Sequence, residues 1–245
     1  MSIPNSPDKS PSRIRGLFAA IAPRYDFLNH LLSVGIDKSW RRRSVQTLLS
    51  QLRVDGSVLD VCTGTGDFAI ELVRSSERDV YGVDFTKEML QIAEQKRQKL
   101  PTEQQDRLKF VEGDALKLPF EDATFALVTV AFGLRNTADT NQALKEMQRV
   151  VKPGGIVAVL EFSMPRLPLI KWLYSFYFVR VLPYVGHIIS KAPIDSYRHL
   201  PESVLDFDNT NQLTERMKTI GLNNPQAKRM TFSIATLCYA TRGNL

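Results

Sequence analysis

Asp60-Val61-Cys62-Thr63-Gly64-Thr65-Gly66-Asp67 is the stretch on which the fold turns. Val58-Leu59 runs into it and makes, with Asp60-Val61, a short apolar segment of strand length. Asp67 opens a stretch with helical spacing that reaches about Arg74. Between the two, Gly64 and Gly66 let the backbone turn sharply and approach a ligand closely. Strand, glycine turn and helix together are the first half of a βαβ unit.

The same alternation continues downstream. Val80–Asp84 reads as a second strand, Lys87–Lys99 as a second helix, Leu108–Val111 as a third strand and Phe125–Ala131 as a fourth. A helix is expected over Thr140–Val151, then a turn at Lys152-Pro153-Gly154-Gly155 and a fifth strand over Ile156–Phe162. Met230–Ile234 and Thr236–Thr241 read as two more strands, close enough in sequence to pair antiparallel. The fold class is therefore α/β: a seven-stranded, mostly parallel sheet with helices on both faces. Upstream, Ser12 can cap a helix that ends near Ala22 before Pro23, and Asp37 can cap one carrying Val45, Leu48, Leu49 and Leu52. The expected organisation is a disordered Ser/Pro-rich tail over 1–12 and a single domain over 13–245, with a helical cap at 13–54 and an apolar lid at 163–208.

Composition narrows the class. The 245 residues are 43% hydrophobic and 24% charged, which suits a globular chain that buries its own core. Cys62 and Cys238 are too few for a disulfide framework and the three histidines have no metal-ligand spacing, so no metal is expected. No apolar signal core precedes the first helix, so a cytoplasmic location is expected. The net charge of +6 is compatible with nucleic acid or an anionic membrane, but its densest clusters, Lys38-Arg41-Arg42-Arg43 and Lys96-Arg97-Lys99, read first as solvated helix faces. The run from Leu169 to Leu182, with Trp172, Tyr174, Phe176, Tyr177 and Phe178, is too short to span a bilayer and too aromatic for an ordinary surface helix. It suits the wall of a greasy pocket or a face that dips into a membrane, and helix-on-sheet packing is the plain alternative.

The residues around the glycine turn indicate a cofactor. Eighteen positions after Gly66, Asp84 ends the second strand, where a carboxylate can accept both hydroxyls of a ribose. Gly64 to Ala69 formally fits the dinucleotide pattern, but Asp60 and Asp67 flank the loop and would repel a pyrophosphate. They suit a cofactor that is cationic near its reactive end and carries no phosphate. S-adenosylmethionine meets that description. Gly113-Asp114-Ala115 after the third strand and Pro153-Gly154-Gly155 before the fifth complete an ordered set far more specific than any member of it.

That set resembles class I S-adenosylmethionine-dependent methyltransferases, a Rossmann-like fold. Three further segments are similar to the UbiE/MenG-type quinone methyltransferases: Ala22-Pro23-Arg24-Tyr25-Asp26-Phe27-Leu28-Asn29, Phe132-Gly133-Leu134-Arg135-Asn136 and Leu160-Glu161-Phe162-Ser163. The resemblance runs from about Leu17 to Thr241. It implies methylation of a ring carbon of a polyprenylated quinol: demethylmenaquinol to menaquinol first, the benzoquinol step of ubiquinone synthesis or a phylloquinone-type step as alternatives. It implies cofactor contacts at Asp60, Gly64, Thr65, Gly66, Asp84, Asp114, Ala115 and Ala131, and substrate contacts at Tyr25, Asp26, Asn29, Asn136 and Tyr197. Three positions depart from the family pattern: His199 stands where a second lid tyrosine is usual, Ala131 where a serine is frequent, and Ser233 where a glycine is common.

Carbon methylation needs an electron-rich ring carbon in line with the methyl donor, loss of a phenolic proton and stabilisation of the phenolate. Arg135 is expected to stabilise the phenolate or hold a water that takes the proton, since a guanidinium is a poor neutral base. Tyr25 and Asp67 are the other expected catalytic residues, Asp67 through a hydrogen-bond network; His30 and His199 are weaker candidates for a base. A polyprenyl quinol partner implies contact with a membrane surface, and no nucleic-acid partner is expected. An NAD-dependent dehydrogenase lacks a Tyr-x-x-x-Lys pair here, an RNA methyltransferase should show a basic groove with stacking aromatics, and a non-catalytic binder would have no use for Tyr25, Asp26 and Arg135.

Overall fold

The strand opened by Val58 lies at the centre of the molecule, and the rest of the sheet is assembled on its two sides. The computed structural model describes residues 9–27, 33, 35–165, 167–176, 203, 204 and 206–243. The strands are β1 (Val58–Val61), β2 (Val80–Asp84), β3 (Leu108–Glu112), β4 (Phe125–Ala131), β5 (Val151–Phe162), β6 (Leu222–Met230) and β7 (Ala235–Arg242). They form one sheet in the order β3-β2-β1-β4-β5-β7-β6. The first five are parallel, and β7 inserts antiparallel between β5 and β6. Chain order reverses at β1, between β2 and β4, so the crevice above its carboxyl end is the ligand position in sheets of this kind.

Helices cover both faces. They are α1 (Pro11–Ile21), α2 (Ile36–Gln51), α3 (Asp67–Ser75), α4 (Lys87–Arg97), α5 (Thr102–Arg107), α6 (Thr140–Val150), α7 (Pro168–Phe176) and α8 (Thr210–Thr219). Alternate strand residues feed two separate cores. Val58, Val80, Leu127 and Ile156 pack under α2 and α3, while Leu59, Val128, Val157 and Cys238 pack under α6 and α8. Being buried on both faces is what makes these strands continuously apolar.

Several boundaries differ from expectation. α1 begins at Pro11, whose missing N–H is harmless in a first turn, so Ser12 lies inside the helix and caps nothing. Asp37 is likewise inside α2, behind Gly35 at φ 72°. The Lys152–Gly155 turn is part of β5: the pairing with β4 jumps from Phe125–Val151 to Leu127–Ile156, and Gly154 at φ 75° absorbs the extra residues. The sixth strand is Leu222–Met230, not Met230–Ile234. It is an edge strand, so Asn223, Gln226, Lys228 and Arg229 face solvent and hide the apolar signal. α5 and α8 were not foreseen; α8 is polar along most of its length and is held by an Asn209–Gln212 capping box, burying only Leu213 and Met217.

Candidate active site

A cavity of about 500 Å³ opens at the carboxyl ends of β1, β2 and β4, roofed by α1 and the start of α2. Cys62, Gly64 and Gly66 all take positive φ (53°, 56° and 81°), which lifts the chain off β1 and aims it into α3. A side chain on Gly64 would meet no atom within 4 Å, so this backbone faces open cavity. Gly66 does something else. A Cβ there would lie 2.7 Å from Phe110 Cζ and 3.1 Å from Ala93 Cβ, and Gly66 is not on the cavity wall. Its smallness serves packing of the loop against β3 and α4 rather than approach to a ligand.

Two carboxylates stand at the floor. Asp60 is fully buried and accepts from Thr63 Oγ1 at 2.7 Å and Thr129 Oγ1 at 3.0 Å. Burial pushes its pKa up to about 7 against those two hydrogen bonds. Asp84 accepts from the N–H groups of Gly64 at 2.8 Å and Thr86 at 2.9 Å, and burial raises its pKa as well. Among the described residues neither pairs with a lysine or arginine. Desolvated acids in no ion pair among the described residues, on the wall of an apolar cavity, fit a ligand that brings its own positive charge and no phosphate. S-adenosylmethionine has that chemistry, and the site accommodates it. Asp114 and Ala115, at the end of β3, and Ala131, at the end of β4, line the same cavity.

The expected Asp67 and Asp26 are drawn into a lattice of ion pairs. Lys96 Nζ lies 2.5 Å from Asp26 Oδ2 and 2.6 Å from Asp67 Oδ1. Arg41 reaches Asp67 at 3.3 Å and Asp37 at 2.7 Å, and Thr65 Oγ1 donates to Asp26 at 2.5 Å. This lattice ties α2 and the Tyr25-Asp26 segment to the glycine loop. Asp67 lines the cavity with its charge matched by Lys96 and Arg41, whereas Asp26 is off the cavity wall. Lys96 and Arg41 were expected on solvated faces; only Lys38, Arg42, Arg43 and Lys99 of those two clusters are exposed. Tyr25 does line the cavity, its ring edge against Phe18 with centroids 6.0 Å apart. Asn29, His30, Tyr197 and His199 lie outside the described residues.

The other end of the cavity is aromatic and holds one buried cation. Trp40, Phe132 and Phe162 form a cluster with ring centroids 4.6–6.3 Å apart, and Trp40 Nε1 donates to Thr231 Oγ1 at 2.8 Å. Arg135, in the short 3-10 turn Leu134–Asn136 after β4, is 4% exposed; Asn136 beside it also lines the cavity. Arg135 Nη1 bonds Glu161 Oε2 at 2.7 Å and the Phe132 carbonyl. In the sequence Glu161 and Phe162 stand out only as part of a family motif, and nothing along the chain gives Trp40, Phe132 or Lys96 a site role. Charged residues beside a glycine-turn strand were the one signal that could have singled out Glu161. Among the described residues no cluster of His, Cys, Asp and Glu could hold a metal ion.

Comparison with known proteins places this geometry. Residues 7–242 match the model of the ubiE/COQ5 methyltransferase family. The chain is 43% identical over 227 residues to the ubiquinone/menaquinone biosynthesis C-methyltransferase UbiE of Geotalea daltonii, covering 92% of this chain and 94% of that one. It is 44% identical over 223 residues to the demethylmenaquinone methyltransferase of Deinococcus radiodurans, covering 91% and 89%. Among solved structures, a SAM-dependent methyltransferase from Thermotoga maritima has the same fold, with TM-score 0.61 at 18% identity over 94% of this chain and 99% of that one. A second, from Aquifex aeolicus, gives 0.57 at 19% identity over 80% and 88%. Sequence match across nearly its whole length and a cavity with the chemistry of the cofactor agree: the chain belongs to the ubiE/COQ5 methyltransferase family and is an S-adenosylmethionine-dependent C-methyltransferase.

Proposed function

We propose that this protein methylates a ring carbon of a polyprenylated naphthoquinol, converting demethylmenaquinol to menaquinol. The observation that carries the reading is Arg135: a buried guanidinium on the wall of an otherwise aromatic compartment, in the same cavity as unpaired acids that suit a cationic methyl donor. A planar, electron-rich ring can pack against the surface that the Trp40, Phe132 and Phe162 cluster presents to the cavity. The relatives' names include both quinone classes, and the demethylmenaquinone enzyme of Deinococcus radiodurans favours the naphthoquinol.

In this reading S-adenosylmethionine supplies an electrophilic methyl group when bound. Asp84 accepts from the ribose hydroxyls, Asp60 with Gly64 and Thr65 holds the cationic end, and Asp114, Ala115 and Ala131 flank the remainder. Tyr25 and Asn136 orient the ring, with Asn29 and Tyr197 as further substrate contacts. Asp26 acts indirectly, by tethering the Tyr25 segment through Lys96 and Thr65. Arg135 stabilises the negative oxygen left when the ring hydroxyl gives its proton to a water, which pushes electron density onto the carbon to be methylated; once methylated, that carbon gives up its own hydrogen as a proton, the ring oxygen is reprotonated, and one proton is released to solvent overall. Asp67 keeps Lys96 and Arg41 in register with the loop.

The substrate's tail places it in a bilayer, and we propose peripheral contact with an anionic membrane surface. Trp172 and Phe176 on α7 are 65% and 55% exposed and stack on each other, and among the described residues no helix is long and apolar enough to cross a membrane.

The test is an anaerobic assay with purified protein, S-adenosylmethionine and chemically reduced quinones bearing short isoprenoid tails. The demethylated naphthoquinol should gain one methyl group on its ring carbon by mass spectrometry, and the oxidised quinone should not. Turnover of the benzoquinol alone would move the assignment to the ubiquinone step; turnover of neither would reject the quinol reading.

A further inference from the structure

We propose that Glu161 is a positioning residue for the methyl-transfer site, acting through Arg135; the inference rests on the role given to Arg135 above. Glu161 sits near the end of β5, is 3% exposed and is not on the cavity wall, so it touches neither ring nor methyl donor. Its contacts are unusually exclusive. Oε2 takes Arg135 Nη1 at 2.7 Å and the Phe162 N–H at 3.2 Å, while Oε1 takes the Arg135 N–H at 3.3 Å. The carboxylate therefore grips Arg135 at both ends, backbone and guanidinium, and among the described residues adds one further hydrogen bond, from its own neighbour's amide.

The guanidinium needs such a grip. Arg135 Nη1 is further shared with the Phe132 carbonyl, and the guanidinium carbon lies 5.3 Å from the centroid of the Phe162 ring. With Nη1 fixed and one ring face beneath it, the planar fork has one orientation. Among the described residues Arg135 Nε is buried and has no hydrogen-bond partner, so it reaches no open space. The part of Arg135 that meets a ring oxygen is therefore the charged guanidinium where it lines the cavity. Stabilising an oxygen that becomes negative during the reaction depends on that charge being aimed beforehand, because misplacement by about 1 Å can cost on the order of a hundredfold in rate. An arginine has several free torsions, so removing Glu161 leaves the charge in place but releases its aim.

The experiment compares Glu161→Gln, Glu161→Asp, Arg135→Lys and the double variant Glu161→Gln/Arg135→Lys. Steady-state rates are taken at saturating S-adenosylmethionine with the reduced demethylnaphthoquinol used above. In parallel, proteins labelled with 15N-arginine report the Nε–H resonance of Arg135, assigned by its loss in Arg135→Lys. Glu161→Gln should lower kcat by roughly thirtyfold or more with the quinol KM within about threefold, the pattern of a lost transition-state interaction. Glu161→Asp should recover part of it, and the double variant should be no slower than Arg135→Lys, because both changes remove one interaction. The Arg135 Nε–H signal, slow to exchange in the wild type, should broaden or vanish in Glu161→Gln. A folded Glu161→Gln with kcat within about threefold of wild type, a double variant showing the product of both losses, or an unchanged Arg135 resonance overturns the proposal. A merely structural role would lower thermal stability and leave kcat of the folded protein alone. If Glu161→Gln does not fold, Glu161→Asp and its resonance decide. If the wild type turns over no quinol, the functional reading fails, while the resonance still reports whether Glu161 holds Arg135.

Discussion

Asp60 is a residue whose environment sets a measurable pH dependence. Burial raises its pKa from 3.8 to about 7, although two hydroxyls donate to the ionised form. Between those values the folded protein keeps a proton that the unfolded chain has lost. Its contribution to stability is therefore full below the unfolded value and is lost as pH rises toward about 7. A cationic ligand reverses the balance by favouring the carboxylate. We expect S-adenosylmethionine affinity to be level above about pH 7 and to weaken as pH falls below it, by at most about tenfold per pH unit, with proton release on binding. Calorimetry in two buffers of different ionisation heat measures both, and Asp60→Asn should flatten the curve. Affinity that does not change between about pH 6 and 8 would remove Asp60 from the cationic end of the ligand. Asp60 and Asp84 were legible in the sequence because Asp60 lies in the strand that runs into the glycine turn and Asp84 ends the next strand. Glu161, Lys96 and Arg41 were not. Lys96 meets Asp26 and Asp67 only because α4 folds back over the loop, and Glu161 meets Arg135 across the ladder between β4 and β5. Such partners are chosen by tertiary proximity, which spacing along the chain does not encode.

At the scale of elements, the turn between β6 and β7 is strained. Thr231, Phe232 and Ser233 all have positive φ, at 46°, 54° and 71°, a left-handed path that only glycine takes freely. The turn is held by Trp40 Nε1 on Thr231 Oγ1, and by Ser163 Oγ, which donates to the Ser233 carbonyl at 2.5 Å. Thr231 and Ile234 line the cavity, while Phe232 is 67% exposed. Phe232→Gly and Ser233→Gly each relieve a left-handed residue at the cost of a freer unfolded chain, so each should stabilise by about 1 kcal/mol, or about 2–4 °C in Tm. A thermal melt checks it; a lower Tm would mean that the Phe232 ring holds the turn in place. The five parallel strands and the helices flanking the glycine turn were readable because apolar runs and turn residues alternate there. Of this hairpin the second strand and the antiparallel pairing were legible, but not the place of the first strand, since the turn's three consecutive residues in a glycine-like conformation carry no glycine and the edge strand before it is polar. Pro225 sits where the β6–β7 register shifts between Asn223 and Gln226, which further disguised the strand.

For the whole molecule, the proposed substrate raises the question of how a ring on a polyprenyl tail would reach a cavity inside a protein with net charge +6. An excess of basic residues would attract the chain to an anionic surface, and among the described residues Lys38, Arg42 and Arg43 on α2 are exposed and outside the ion pairs that hold Arg41. Electrostatics alone acts weakly and at a distance; apolar side chains fix the depth. Leu167, Leu169, Trp172 and Phe176 are more than half exposed. A face of this kind is costly to keep in water, which favours transfer into the headgroup region. Indole and phenyl rings suit that region. We therefore expect the protein to float with vesicles of anionic phospholipid at low salt and to be released as salt screens the attraction. Replacing Trp172 and Phe176 together with serine should abolish flotation while changing Tm little, because two exposed rings contribute little to folding. A loss of several kcal/mol of stability would instead mean that the rings are buried against protein. Wild-type protein that stays in solution at low salt would remove the membrane from the route, and the quinol would then have to be delivered by a carrier that shields its tail.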